Sequence, residues 1–434
     1  MKRIYIVNTI LILVVMSIST VSADVLALSD GLRLSIENSR VLKMAGYEEA
    51  VSEAETLVSR SKMLPVINAS LGQTSLAHQP SAIFGQQTVP VSEKNFLSYS
   101  LSIQQTLYDF RGNASKYEAS KMVLNTKKLD TIRIRNLVAI DFVLIYLELL
   151  ESEKMLSVAG KEVERLESHL RNARNMYEEG VITKNDLLQA EVRISDARQK
   201  LLTAKNLRTI TAARLNNAIQ RPLNTEIQVM EIQSASTDLS DMEIEKAWET
   251  AVSQRAEIKI VDETLKSLGL EEKSRRSEYF PRLFVKGGYD YTENRYQLHQ
   301  GNWSLTLGMS INLFSGGSTG AEVAKIENQK LKLLEQRNKL VDEIKVEVEK
   351  YILDAKTAKE RVYMATGVVQ QAEENLRINR LKYEEGVGTA TDVLDAVSLL
   401  TIAETNFYRS LYDLRKAEAA VLYSIGKEIS EVYK

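Results

Sequence analysis

Residues 177–190 read Tyr177-Glu-Glu-Gly-Val-Ile-Thr-Lys-Asn-Asp-Leu-Leu-Gln-Ala190, and residues 383–396 read Tyr383-Glu-Glu-Gly-Val-Gly-Thr-Ala-Thr-Asp-Val-Leu-Asp-Ala396. The second stretch begins 206 residues after the first, and nine of the fourteen positions are identical without a gap. Both lie between long segments that lack proline and have a helical periodicity. A repeat of this kind indicates a duplicated unit. A glycine-centred turn between two long helices ends a helical hairpin, so the sequence predicts two matching hairpin tips.

The long segments before the tips are residues 113–179 and 318–385, and both are rich in Glu, Lys, Arg, Leu and Ala. At 1.5 Å per residue each would form a helix about 100 Å long, whereas an ordinary helix has ~11 residues. We expect such helices to be stable only when packed in a coiled-coil bundle. Possible capping boxes at their starts pair Ser115 with Glu118 and Thr319 with Glu322.

Two alternating segments precede each long helix and predict β-hairpins at about 65–110 and about 282–314. In the clearest strand, every second residue is large and apolar: Trp303, Leu305, Leu307, Met309, Ile311 and Leu313. The residues between them are small or polar, and this alternation fits a strand between lipid and a watery lumen. Half-buried strands of a soluble sheet have the same period. Aromatic residues at both ends of the strands favour lipid, and these are Phe96, Trp303, Tyr108, Phe110, Phe280 and Phe314.

Four strands are too few to close a membrane barrel, because the smallest such barrels have about eight. Open sheet edges are not tolerated in hydrocarbon, where unpaired backbone groups find no partner. If these strands lie in a membrane, the chain must therefore oligomerise.

The first 23 residues predict a secretory signal peptide. They contain Lys2 and Arg3, an apolar run at 4–16, and the small-residue cleavage signal Val21-Ser22-Ala23. An uncleaved anchor is the alternative, but the apolar run is short for a membrane span. We expect the mature chain to lie outside the cytoplasm.

Composition excludes several classes of function. The chain has no cysteine, and its three histidines are far apart in sequence, so thiolate chemistry is excluded and a histidine metal centre is disfavoured. The 56 basic and 58 acidic residues give no support to nucleic-acid binding. No nucleophile elbow or pocket-forming pattern is present. The sequence predicts no enzyme activity, no cofactor and no metal site.

The predicted organisation is an α+β membrane protein made of a duplicated unit. Its parts are a signal peptide at 1–23, a first repeat at 24–217, an equatorial linker at 218–241 and a second repeat at 242–434. Each repeat is expected to contain a helix, a β-hairpin, and a long helical hairpin with its tip at 177–190 or 383–396.

This order of elements, with a signal peptide, resembles the TolC family of outer-membrane efflux channels. The resemblance rests on the doubled Tyr-Glu-x-Gly tips and on the motifs that open and close the strands, which are Leu64-Pro65, Phe280-Pro281, Leu107-Tyr-Asp-Phe-Arg-Gly112 and Leu313-Phe-Ser-Gly-Gly317. It implies a homotrimer with a twelve-stranded β-barrel in the outer membrane of a Gram-negative bacterium, continued by a periplasmic α-helical barrel. It also implies a periplasmic adaptor (membrane fusion protein) at the tips and an inner-membrane pump of RND, ABC or MFS type.

The resemblance further implies a gate at the second tip. Tyr383, Asp392 and Asp395 occupy the family's constriction positions, and Asp186 matches a residue that bonds across to the second hairpin. Three copies would give a ring of six acids. Such a ring favours cations, and mutual repulsion raises the pKa values of the acids. Gly388 stands where some members have a basic residue, so a closing salt bridge there is in doubt.

Structural roles compete with gating at these positions. Thr183 with Asp186 and Thr389 with Asp392 are spaced as capping boxes, so for Asp186 a capping role alone stays open. The counterpart of Asp395 is Gln189, which no cap requires, and this favours a pore role. Glycines at the turns predict positive φ. The residues expected to form the turns and contact the adaptor are Gly180, Val181, Thr183, Gly386, Val387, Gly388 and Thr389.

The sequence thus predicts a passive exit duct of a tripartite efflux or type I secretion system, gated at the tips and surrounded by outer-membrane lipid. The alternative is a structural or adhesive coiled-coil protein of the cell envelope without transport activity. The cargo, whether drugs, metal ions or proteins, is not encoded in any residue pattern.

Overall fold

The computed structural model describes residues 25–232 and 242–433. The predicted signal peptide and residues 233–241 of the predicted linker lie outside the described residues. The first half contains β1 (Val25–Leu26), α1 (Leu28–Asn38), α2 (Arg40–Ser61), β2 (Val66–Ser75), β3 (Ser81–Phe84), β4 (Gln87–Pro90), β5 (Asn95–Tyr108), α3 (Gly112–Glu178), α4 (Lys184–Ala218) and β6 (Gln228–Val229). The second half contains α5 (Ile244–Gln254), α6 (Ala256–Arg276), a 3-10 turn (Ser277–Tyr279), β7 (Arg282–Thr292), β8 (Gly301–Ser310), α7 (Ser318–Glu384), α8 (Ala390–Ser424) and α9 (Ile429–Val432).

The first helical hairpin consists of α3 and α4 and the second of α7 and α8, and the two hairpins match in length without an insertion. The long helices α3 and α7 have 67 residues each, and the return helices α4 and α8 have 35 each. Each helix of the second hairpin begins and ends 206 residues after its counterpart, as 112 and 318 or 218 and 424 illustrate. Any residue of one hairpin can therefore be compared with its counterpart at this fixed spacing.

The strands β2, β5, β7 and β8 form one antiparallel sheet in that order. Its register places the predicted apolar residues on a single face, because Leu101 pairs with Ala69 and Tyr289, and Tyr289 pairs with Trp303. The opposite face is mostly polar. Leu305 and Leu307 are 81% and 75% exposed, so none of the described residues covers this part of the large apolar face.

The helices next to the sheet follow the order of the strands. Helix α2 packs on α3, α3 on α6, and α6 on α7. Strands β2 and β8 are the two edges of the sheet, and α2 and α7 continue from those edges. Nearer the tips, α3 packs against both α4 and α8, and α8 packs against α7. Among the described residues, none of the helices has the length and apolar character needed to cross a membrane.

Three details differ from expectation. The capping boxes at Ser115 and Thr319 do not form, since the chain enters α3 and α7 through left-handed residues, Arg111 (φ +67°) and Gly317 (φ +78°). At α3 the Asp109 carboxylate accepts from the Asn113 N–H instead, at 2.8 Å.

Between the two strands of the first predicted β-hairpin, residues 75–95 contain an additional small hairpin, β3–β4. The single helix expected at the start of the second repeat is instead two helices, α5 and α6, that meet at Arg255. This residue has an extended backbone, and its buried guanidinium binds Glu257 and Glu347.

Candidate gate at the hairpin tips

The two tips are Schellman turns with the same geometry. Gly180 and Gly386 follow the C-caps of α3 and α7 with φ values of +73° and +72°. In the first tip, the N–H of Val181 donates to the Met176 carbonyl at 2.8 Å, and the second tip has the equivalent bond. A side chain other than glycine is strained in this left-handed conformation, so the expected positive φ is present at both glycines.

Capping boxes start both return helices. The Thr389 hydroxyl donates to the Asp392 carboxylate at 2.7 Å and accepts from the Asp392 N–H at 3.2 Å. Thr183 and Asp186 make the same bonds in the first tip. Hydrogen bonding from Thr389 lowers the pKa of Asp392. Asp186 and Asp392 thus have a capping role, while a gating role for either stays a prediction.

Apolar side chains form the apex of both tips. Val181 is 59% exposed and Val387 is 77% exposed. No side chain in the described part of the protomer covers them to a large extent, so each tip carries an exposed apolar surface.

Gly388 has a structural reason to be glycine. A Cβ atom at this position would lie 3.0 Å from the Lys382 Cβ and 3.0 Å from the Tyr383 nitrogen, which is tighter than side chains normally approach. The Gly388 N–H also donates to the Lys382 carbonyl at 2.9 Å. The second tip is closed tightly on itself, and a long basic side chain does not fit there without movement.

Tyr383 lies in the protein interior. Its side chain is 3% exposed and belongs to an apolar cluster that joins all four hairpin helices. The ring lies 5.1 Å from that of His169 in α3. Within the described part of the protomer, neither the Tyr383 hydroxyl nor the His169 Nε2 atom has a hydrogen-bond partner. Burial, and secondarily Asp186, raises the pKa of Tyr383, and burial and Arg380 lower the pKa of His169 to about 4.

Asp395 points away from the cap and toward the first hairpin. It is 66% exposed, and its Oδ1 atom lies 3.9 Å from the Nη2 atom of Arg193 in α4. Sequence reasoning missed Arg193. The available signal was the fixed repeat spacing, which makes the uncharged Leu399 the counterpart of Arg193.

A second ion pair joins the hairpins farther from the tips. Arg165 in α3 donates to both carboxylate oxygens of Glu404 in α8, at 2.8 and 2.9 Å. The side chains are 18% and 8% exposed. Lys416 and Glu151 form a third cross-hairpin pair at 2.6 Å. The hairpins are therefore held together by charge as well as by the apolar cluster.

Within residues 25–232 and 242–433, no group of three or more His, Cys, Asp or Glu side chains could hold a metal ion.

Comparison with known proteins identifies the architecture. The family model described as "Outer membrane efflux protein" matches residues 31–220 and 263–427. The proteases secretion protein PrtF of Dickeya chrysanthemi is 20% identical over 95% of this chain and 89% of its own length. The outer membrane protein TolC of Vibrio cholerae is 22% identical over 89% of this chain and 87% of its own.

Among solved structures, the outer membrane protein VceC of Vibrio cholerae superposes with a TM-score of 0.79. It is 14% identical, and the match covers 93% of this chain and 96% of VceC. This likeness shows that the chain has the fold of TolC-like outer-membrane channels. The family model covers most of the chain, and the family consists of outer-membrane channels with a periplasmic part, which are not enzymes. The chain belongs to the outer membrane efflux protein family, and it is an exit duct for efflux or secretion.

Proposed function

We propose that three copies of the chain assemble into a passive outer-membrane exit duct. A twelve-stranded barrel lies in lipid, a helical barrel extends into the periplasm, and the hairpin tips close the periplasmic entrance. The observation that carries this proposal is a four-stranded sheet with a large exposed apolar face and two open edges.

The strand directions allow the sheet to close by repetition. Because the sheet is antiparallel and has an even number of strands, β2 and β8 run in opposite directions. The β8 edge of one copy can therefore pair with the β2 edge of the next. Three copies give twelve strands with no free edge, which satisfies the backbone groups in hydrocarbon. The apolar face is then outside, against outer-membrane lipid.

Helix α2 supports the same arrangement. Its buried residues, which face α3, are small: Ala45, Ser52 and Thr56. Its large apolar residues point outward at 55–73% exposure, and these are Val41, Met44, Tyr47, Val51 and Val58. An exposed apolar row of this length indicates an interaction surface. Since α2 and α7 continue from opposite edges of the sheet, α7 of a neighbouring copy would cover this row.

The tips suit both a gate and a docking site. The turns that carry Val181 and Val387 are closed by backbone hydrogen bonds and apolar at the apex, which fits contact with a periplasmic adaptor linked to an inner-membrane pump. The remaining turn residues, Thr183, Thr389 and the glycines, build that surface. Asp392 and Asp395 would contribute the acids of the constriction, with Tyr383 packed behind them.

The relatives support an export role without fixing the cargo. PrtF and the alkaline protease secretion protein AprF of Pseudomonas aeruginosa are named for protein secretion, whereas the family model is named for efflux. We leave the pump type open among RND, ABC and MFS.

The proposal is tested by native mass spectrometry of the detergent-solubilised protein, followed by conductance in planar bilayers. We expect a mass three times that of the mature chain and discrete conductance steps. A monomeric protein, or a trimer that never conducts, would contradict the proposal, and the second result would favour a structural coiled-coil role.

A further inference from the structure

The ion pair between Arg193 and Asp395 is the cross-hairpin pair nearest the tips among the described residues. Asp395 lies six residues beyond the N-cap Thr389, or about 9 Å along α8, whereas Glu404 lies about 22 Å along it. The two charges belong to different hairpins, so they separate whenever one hairpin moves relative to the other.

Neither residue of this ion pair has a charged counterpart in the other hairpin. Gln189 is the counterpart of Asp395, and Leu399 is the counterpart of Arg193 at the same spacing of 206 residues. The first hairpin therefore carries the cation and the second carries the anion. Duplication of a shared surface residue does not account for this pair, because neither charge is present in the other copy.

Two other positions in the second tip, Asp392 and Gly388, are unsuited to a charge contact with the first hairpin. The Asp392 carboxylate accepts from the hydroxyl and the N–H of Thr389. Gly388 has no side chain, and its Cβ position is crowded by Lys382 and Tyr383. Lys382 acts on Asp392 through space. Asp395, unlike Asp392, makes no capping bond, and Arg193 is the base that reaches it.

We propose that Arg193 is a selectivity-determining residue of the entrance, whose guanidinium neutralises Asp395 and ties the hairpins together in the closed state. The closing salt bridge that position 388 cannot make is made instead from α4. This inference rests on the proposed exit-duct function. It predicts that this one residue pair lowers both the leak and the cation preference of the closed entrance.

The expected effect is modest for each pair and depends on salt. An exposed ion pair changes an equilibrium by at most about five-fold, and three equivalent pairs in a trimer act together. The Debye length falls from about 10 Å at 0.1 M to about 3 Å at 1 M ionic strength. The contribution of Arg193 should therefore be large at low salt and small at 1 M.

The test uses the full-length protein in planar bilayers, with leak conductance and reversal potential measured in KCl. The variants are Arg193→Gln, Asp395→Asn and the exchanged pair Arg193→Asp with Asp395→Arg. Arg198→Gln is the matched control, because Arg198 lies on the same helix, is 61% exposed, and pairs with Glu167 at 2.9 Å inside the first hairpin.

At 0.1 M KCl we expect Arg193→Gln to raise the leak at least about two-fold and to strengthen cation preference, with both effects shrinking at 1 M. Asp395→Asn should also raise the leak but weaken cation preference. The exchanged pair should restore a low leak, and Arg198→Gln should match the unmodified protein. Opposite shifts in reversal potential are not expected from a merely structural role.

Equal behaviour of Arg193→Gln and Arg198→Gln, or a high leak in the exchanged pair, would overturn the assignment of Arg193. In that case the unmodified protein still conducts, so the exit-duct function stands. Absence of conductance in the unmodified protein would instead overturn the proposed function and this inference with it.

Discussion

Replacing Glu404 with Gln should loosen the contact between the two hairpins and raise leakage through the entrance. The substitution keeps the size of the side chain and one of its acceptor oxygens but removes the charge. Arg165 makes two hydrogen bonds to the carboxylate, and Lys161 lies 4.0 Å from the same carboxylate. In the variant, a guanidinium that is 18% exposed loses its counter-charge.

The size of the effect follows from the burial of the pair. Removing one partner of a fully buried ion pair costs about 3–5 kcal/mol, and an exposed pair is worth about 0–1 kcal/mol. Because Arg165 keeps some contact with water, we estimate roughly 2 kcal/mol per protomer between these limits. This corresponds to about a 30-fold change in the equilibrium between joined and separated hairpins.

The assay is leak conductance in bilayers, together with the sensitivity of producing cells to large antibiotics that the outer membrane excludes. Glu153→Gln is the control, since Glu153 pairs with Arg208 at 3.2 Å within the first hairpin, where the two side chains are 31% and 25% exposed. We expect high leakage for Glu404→Gln and normal leakage for the control. The reasoning is refuted if both variants leak equally, or if the variant Arg165→Glu with Glu404→Arg leaks as much as Glu404→Gln.

Further outcomes are expected at the tips. Gly388→Ala should increase proteolysis at the second tip, because the added Cβ would lie 3.0 Å from the Lys382 Cβ and the turn must shift by a few tenths of an ångström; unchanged digestion would contradict this. Tyr383→Phe should leave leakage unchanged, since the Tyr383 hydroxyl has no hydrogen-bond partner in the described protomer. Increased leakage in this variant would mean that the hydroxyl does hold the entrance shut. Tyr383→Ala should lower the free energy of unfolding by about 3–5 kcal/mol, by analogy with a buried Phe. The pKa of His169 is lowered from 6.5 to about 4, so the unfolded chain binds more protons between these values and stability should fall on acidification through this window; His169→Leu should flatten the pH dependence of thermal unfolding, and an unchanged profile would exclude His169 as its source.

Much of the fold could be predicted because its patterns are long and local. The alternation at Trp303 to Leu313 predicts a strand with one apolar face. Strand β8 has this face but ends at Ser310, before Ile311 and Leu313, and it aligns with β7 in the observed register. The hairpin tips follow from Gly180 and Gly386, for which the turn requires a left-handed backbone.

Other features depend on contacts that local patterns do not record. The small hairpin β3–β4 is four residues per strand, too short for a periodicity, although Gly85 at its turn (φ +64°) was a usable signal. The expected cap at Thr319 failed because the chain enters α7 from a left-handed glycine, which turns the backbone away from the box geometry.

The candidate site was predicted only in part for the same reason. Asp395 stands out in the sequence because its counterpart is Gln189, but its partner Arg193 is about 200 residues away and only the packing of α4 near α8 brings them together. The burial of Tyr383 against His169 likewise depends on how α3 packs, which no pattern around Tyr383 reveals.

The central claim is that the hairpin tips are a gate that opens when the hairpins separate. Because the chain has no cysteine, Val387→Cys provides one spin-label site per protomer at the exposed second tip. Pulsed electron paramagnetic resonance can then measure the distance between the labels in the assembled protein. We predict one short distance from the three-fold arrangement, which lengthens and broadens when Glu404→Gln is added and stays the same with Glu153→Gln. An identical distance distribution in all three proteins would contradict the account.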